Sequence, residues 1–130
     1  MIIPNKLIKL EYDPTKDILF VEWPDFEYYA LPEIYQILEN IVDTIRHYDI
    51  NYLMIDSRTT AVTIHEADYN KIAYEFAQSL TNTRLKKLAR LITNSVIREK
   101  QVQNIKEKTK LALEFESFET VDEALDWFSS

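Results

Sequence analysis

Neither glycine nor cysteine occurs among the 130 residues of this chain. The loops that cradle phosphates and the sharp turn that presents a nucleophilic serine both require glycine, because backbone there must approach a ligand or turn steeply. Those classes of site are excluded. The lack of cysteine removes disulfides, thiol catalysis and thiolate-ligated metals. Basic residues are in the minority, 15 against 22 acidic, for a formal charge of −7. Nucleic-acid binding, which depends on a basic surface, is therefore not expected. No apolar run approaches the roughly 18 residues of a membrane span. The opening M-I-I-P-N-K-L-I-K-L lacks the apolar core and small-residue cleavage site of a secretory leader. The expectation is a cytoplasmic protein that engages neither membrane nor nucleic acid. What is present is apolar mass: 46% of the residues are hydrophobic, enough for a packed core.

The hydrophobic pattern changes period along the chain. Residues 6–13 alternate, with Ile8, Leu10 and Tyr12 on one side, and predict a strand. The turn Asp13–Asp17 follows, and residues 18–23 complete an antiparallel hairpin. From Pro32 the apolar residues Ile34, Ile37, Leu38, Ile41, Ile45 and Tyr48 recur at three- and four-residue steps, a helix stripe. Residues 52–56 read as a strand covered on both faces. Ile72, Ala73, Phe76 and Leu80 mark a second helix, and residues 88–93 a strand. A third helix opens at Asn94 or Ser95, a strand is expected over 111–116, and Ala124, Leu125, Trp127 and Phe128 form a last helix. Thr63 with Glu66, and Thr120 with Glu123, have the T-x-x-E spacing of a capping box. The predicted class is α/β: one domain over 1–130, with a mostly parallel sheet of about five strands, an N-terminal antiparallel hairpin and about four helices.

Three segments carry a resemblance: Y-D-P-T-K-D-I-L-F-V-E-W at 12–23, Y-L-M-I-D-S-R at 52–58, and F-E-S-F-E-T-V-D-E-A-L-D-W-F at 115–128. In this order they resemble the STAS-like family, the anti-sigma-factor-antagonist fold of bacterial regulators and transporter tails, and within it a small bacterial branch. The resemblance implies a sheet wound with helices and a regulatory, protein-binding role without enzymatic activity. One departure is informative. Phosphorylated members open the helix after the middle strand with D-S-x-G, whose serine a kinase modifies. Here the matching helix opens with Ile64, His65, Glu66 and Ala67, so phosphorylation-gated switching is not implied.

Candidate sites are few. His65-Glu66 has no second histidine four residues on, since position 69 is Tyr69, so no metal or other cofactor is expected. Asp56, Ser57 and Arg58 end the middle strand, where open α/β sheets bind ligands. They offer an anion anchor in Arg58, or a loop in which Asp56 caps backbone and Arg58 pairs locally. Asn94 and Ser95 end the next strand and either line the same crevice or cap a helix. His47 falls near a helix C-terminus, where an imidazolium is favoured. Residues 84–110 hold nine basic and two acidic groups. They read either as a solvated helix face with a protected strand edge or as a basic surface for an acidic partner.

The expected partner is a protein, another chain or a second copy of this one. The competing reading is a carrier of a small apolar or amphipathic ligand, held in a pocket walled by an aromatic loop. Phe26, Tyr28 and Tyr29 lie in that loop, between Pro24 and Pro32, either as a lid or as an interface. As an interface, Tyr28→Ser with Tyr29→Ser should weaken self-association or partner capture while leaving the melting temperature nearly unchanged. A large stability loss with association intact would assign the loop to the core.

Overall fold

A computed structural model of the chain describes residues 2, 3, 5, 8–23, 30–58, 66–92, 96–108 and 113–130. The elements run β1 (Ile2–Ile3), β2 (Leu10–Asp13), β3 (Ile18–Glu22), α1 (Leu31–Tyr48), β4 (Tyr52–Asp56), α2 (Glu66–Thr81), β5 (Lys87–Leu91), α3 (Val96–Lys108), β6 (Glu114–Phe118) and α4 (Val121–Ser129). The strands form one six-stranded sheet whose order is the chain order. β1, β2 and β3 are antiparallel neighbours, and β3 to β6 are parallel.

The predicted α/β class and element order hold, with one strand more than expected. β1 has only two residues, too few to show a period, and pairs Ile2 with Glu11 and Ile3 with Leu10. β2 begins at Leu10 rather than at residue 6. Before it the Asn5 side chain accepts the Ile8 N–H at 3.2 Å, a local turn that competes with strand pairing. β6 lies at 114–118 rather than 111–116. Its place follows from pairing with β5, which sets Phe115 beside Leu88 and Phe118 beside Leu91. Alternation in the sequence gives the face of Leu113 and Phe115 but does not fix the strand ends.

Sheet alternation divides the core into two layers. Leu19, Val21, Leu53, Ile55 and Leu88 point to the face covered by α1 and α2, whose Ile34, Ile37, Ile41, Ile45, Ile72 and Leu80 are buried against them. Ile18, Met54, Ala89 and Leu91 point to the other face, where Ala124 and Phe128 of α4 cover them. Each fully buried aliphatic side chain contributes about 1.5–3 kcal/mol, so the α1 stripe alone accounts for much of the docking of that layer. α4 starts as its sequence predicts. Thr120 Oγ1 accepts the Glu123 N–H at 3.2 Å, a cap whose loss ordinarily costs about 1 kcal/mol. The partner box at Thr63 lies outside the described residues. The N-cap of α1 is Ala30, which has no side-chain acceptor. Glu33 compensates by accepting the Ala30 N–H at 3.1 Å, and Pro32 sits in the first turn. Tyr48, counted in the α1 stripe, is exposed.

With no glycine in the chain, aspartate takes the left-handed positions, as its short polar side chain allows. Asp17 (φ 57°) closes the β2–β3 turn, and Asp49 (φ 51°) ends α1. Asp17 also ties the two ends of this region together. Its carboxylate accepts the Tyr12 hydroxyl at 2.6 Å and the Asn51 Nδ2 at 2.6 Å, just before β4. The hydrogen bond to Asp17, burial and nearby negative charge push Tyr12 up to about 12.

Two members of the basic run are structural. Arg90 lies on β5 beside Ile55, and its side chain is only 8% exposed. It grips Glu99 of α3 through both Nη atoms, Nη2 lying 2.9 Å from Oε2. Among the described side chains of α3, Val102 is the one buried hydrophobic, and the ion pair links α3 to the sheet beside it. Lys87 donates from Nζ to the carbonyls of Trp127 and Ser130 and lies 4.9 Å over the Trp127 ring. It thus neutralises the C-terminus of α4. The reading of 84–110 as a solvated basic face holds for Arg84, whose side chain is 80% exposed, and fails for Arg90. The cost of burying the guanidinium is offset by its bidentate carboxylate partner.

Glu99→Gln, which leaves Arg90 buried without a matching charge, should cost about 3 kcal/mol in denaturant unfolding. Replacing both partners by methionine should restore most of that loss. Equal losses in the single and double variants would show that α3 is held by something else.

Candidate functional site

The carboxyl ends of the parallel strands bring Glu22, Asp56, Leu91 and Phe118 into one row. The ladder continues one residue further. The Trp23 N–H donates to the Asp56 carbonyl (2.8 Å), the Ser57 N–H to Leu91 (3.3 Å), and the Ile92 N–H to Phe118 (3.0 Å). Asp56, Ser57 and Arg58 therefore stand where a ligand would be expected, but their polar groups are turned on one another. The Arg58 guanidinium meets the Asp56 carboxylate in bidentate fashion, Nε to Oδ1 at 3.0 Å and Nη2 to Oδ2 at 2.9 Å, and Asp56 also accepts the Arg58 N–H. Ser57 is 2% exposed. Its hydroxyl donates to the Leu91 carbonyl at 2.5 Å, stitching β4 to β5.

This is the local arrangement weighed above against an anion anchor. Asn94 and Ser95, the other proposed crevice residues, lie outside the described residues. So do the loop residues Phe26, Tyr28 and Tyr29, and His65. His47 is exposed in the last turn of α1, its ring 4.8 Å from that of Tyr48. That places it at the amino end of the strands, away from Ser57. Among the described residues no group of three or more histidine or acidic side chains is placed to hold a metal.

The electrostatics agree with the geometry. The hydrogen bond from Arg58 holds the Asp56 carboxyl below the ordinary aspartate range, against the opposing effect of burial. A carboxyl depressed in this way is a poor proton donor near neutrality. Glu22, its neighbour across the strands, is exposed.

A second feature lies on the outer surface, where α1 meets α2. Tyr35, Leu38, Glu39, Val42, Asp43 and Arg46 of α1 and Ile72, Glu75, Phe76 and Ser79 of α2 line a groove of about 340 Å³. Helical spacing explains α1's share: positions 35, 39, 42 and 46 form a stripe beside the buried one. Glu39 on that stripe and Asp43 beside it are one turn apart. Like charges at this spacing destabilise a helix by about 0.2–0.5 kcal/mol. Arg46 is 4.0 Å from Asp43 with both side chains at least half exposed, a pair of small worth. Across the groove, Glu75 of α2 stands on the wall opposite Tyr35. Burial, together with the charges of Glu75 and Asp68, raises the Tyr35 pKa.

None of Tyr35, Glu39, Asp43 and Glu75 stands among the candidate site residues of the sequence. The acidic i, i+4 pair flanking an apolar stripe was the available signal. The side chains that α2 lays opposite it depend on tertiary packing. Comparison of the chain with protein-family models, with curated proteins and with solved structures finds no match.

By its direction, the Asp56 shift contributes stability above the unfolded pKa, and that contribution is lost as pH falls through the folded value. An NMR titration should find Asp56 ionising below the ordinary aspartate range. Arg58→Ala should raise that value and barely move the melting temperature at neutral pH, since Arg58 is exposed. An unmoved Asp56 would show that Arg58 is not its partner in solution.

Proposed function

We propose that this chain is a non-enzymatic regulatory or protein-interaction domain of the STAS-like type, acting in the cytoplasm on a protein partner through the α1–α2 groove. The observation that carries the reading is the groove itself: a concave, charged feature on the outer helix layer, formed by two well-anchored helices. The polar cluster at the strand ends supports the same direction, because its cation and carboxylate are spent on each other and its serine is buried against a carbonyl. The element order β-β-α-β-α-β-α-β-α that follows β1, together with the three segments at 12–23, 52–58 and 115–128, is what speaks for the STAS-like type. No helix among the described residues is long and apolar enough to cross a membrane.

The carrier reading needs an apolar pocket between helices and sheet. Ile37 and Ile41 of α1 and Leu53 of β4 occupy that layer with no exposed surface, which favours the interaction domain.

The test is affinity capture from the source cell with mass-spectrometric identification. It would be run with the wild type, with Glu39→Lys/Asp43→Lys, and with an Asp56→Asn/Arg58→Gln strand-end variant, all checked for folding by circular dichroism. The reading expects one reproducible protein partner, lost in the groove variant and retained in the strand-end variant. Loss only in the strand-end variant would move the site to the crevice. Recovery of no partner, with a small molecule co-purifying instead, would favour the carrier.

A further inference from the structure

Resting on the groove as the interaction surface, the geometry points to the chemistry of its partner: we propose that the α1–α2 groove receives a helical segment of another protein bearing lysine or arginine one turn apart.

Four observations lead there. First, the floor has little apolar surface left to give. Leu38, Val42, Ile72 and Phe76 are already almost wholly buried by their own neighbours, so an apolar ligand or a leucine-rich helix would gain little by entering. What the groove presents outward is its rim. Second, the rim is acidic on both sides, Glu39 and Asp43 on α1 and Glu75 on α2, with Arg46 loosely placed at one end. This field repels phosphate, nucleic acid and anionic headgroups and attracts cationic side chains. Third, the spacing is specific. Glu39 and Asp43 lie one helical turn apart, about 6 Å, which matches cations at i and i+4 on a helix laid alongside α1. Glu75 stands across from them on α2, so a cation entering the groove meets a carboxylate on each wall. Fourth, the length is right. From Tyr35 to Arg46 the α1 wall runs about 16 Å at 1.5 Å per residue, three turns of a partner helix. The mutual repulsion of Glu39 and Asp43 is a cost to the free chain that such a partner relieves.

Recognition of this kind is carried by charge. It is fast, salt-dependent and modest in affinity. The chain's own basic stretch belongs to the same chemistry, since residues 84–110 carry a net +7. On α3, however, Lys106 pairs with Glu116 at 3.4 Å and lies over the Phe115 ring, so that cation is already engaged within its own chain. A second copy is therefore the alternative occupant rather than the proposed one.

The probe is a fluorescent three-turn alanine-rich peptide with lysine at i, i+4 and i+8, followed by anisotropy at low salt. Controls are the same peptide with its lysines moved off one face, and with glutamate in their place. The wild-type chain should bind the spaced lysine peptide at least about fivefold more tightly than the rearranged one, and should lose most of that binding once the Debye length falls to about 3 Å in 1 M salt. Glu39→Lys/Asp43→Lys should lose at least about tenfold, the equivalent of about 1.4 kcal/mol. Glu119→Lys/Asp126→Lys, which changes the net charge equally at exposed positions away from the groove, should lose less than about threefold. Equal losses in both variants, or equal binding of the two lysine peptides, would overturn the proposal in favour of undirected charge attraction. Sedimentation of the chain alone decides the second-copy alternative: salt-sensitive self-association abolished by the groove variant would overturn the proposal in its favour. If the peptide fails to bind while affinity capture still depends on the groove, the partner chemistry falls and the interaction reading stands. If both fail, both fall.

Discussion

A sheet whose strand order repeats the chain order constrains everything laid upon it. From β3 onward, each of β4, β5 and β6 is reached by a crossover that steps in the same direction, and crossovers of one hand then set their helices on one face. The cores show the result. α1 and α2 share the layer with Leu19, Leu53 and Leu88, and Glu99 ties α3 to Arg90 on that face, while α4 holds the opposite face with Ile18, Met54 and Ala89. Neighbouring strands therefore carry neighbouring helices, and α1 must lie beside α2. The groove between them is a consequence of connectivity, and its charge is the part that the sequence chooses.

Polar groups hold the layers together at three places. Asp17 binds the β2–β3 turn to the start of β4 through Tyr12 and Asn51. Arg90 ties α3 to β5 through Glu99. Lys87 closes the end of α4. Each is a charge matched to a specific partner, and each lies at an element end or between layers. By contrast, Glu39 and Asp43 are left facing one another across one turn of α1. Charges that stabilise the fold are matched; those at the groove are only loosely so, and that difference is the physical basis for assigning the groove a role outside the fold.

Where the chain repeats a period long enough, its structure could be read directly. The α1 stripe from Ile34 to Ile45, β4 from Tyr52 to Asp56, and α4 from its Thr120 cap each combine several residues in phase with a boundary signal. The two-residue strand β1 offers no period. The ends of β6 are decided by which β5 residues it meets, a long-range fact. Arg90 was hidden for a related reason. In a run of nine basic residues nothing local distinguishes the one whose side chain turns inward, because its match, Glu99, is brought to it by a crossover. At the candidate site, Asp56–Arg58 pairing was legible because it spans two residues. The α1–α2 groove was not, because it is assembled by residues some 30 positions apart on two helices.

The central claim is that the outer α1–α2 surface, and not the carboxyl end of the sheet, is where this protein meets its partner. A ¹⁵N–¹H correlation map of the labelled chain, recorded as a captured partner or the lysine-bearing helix is added, reads this residue by residue. The account predicts that the largest shifts fall on amides between Tyr35 and Arg46 and between Ile72 and Ser79, with those of Ser57, Arg58 and Ile92 almost unmoved. Shifts concentrated at Asp56–Arg58 and Leu91–Ile92, with α1 silent, would contradict it.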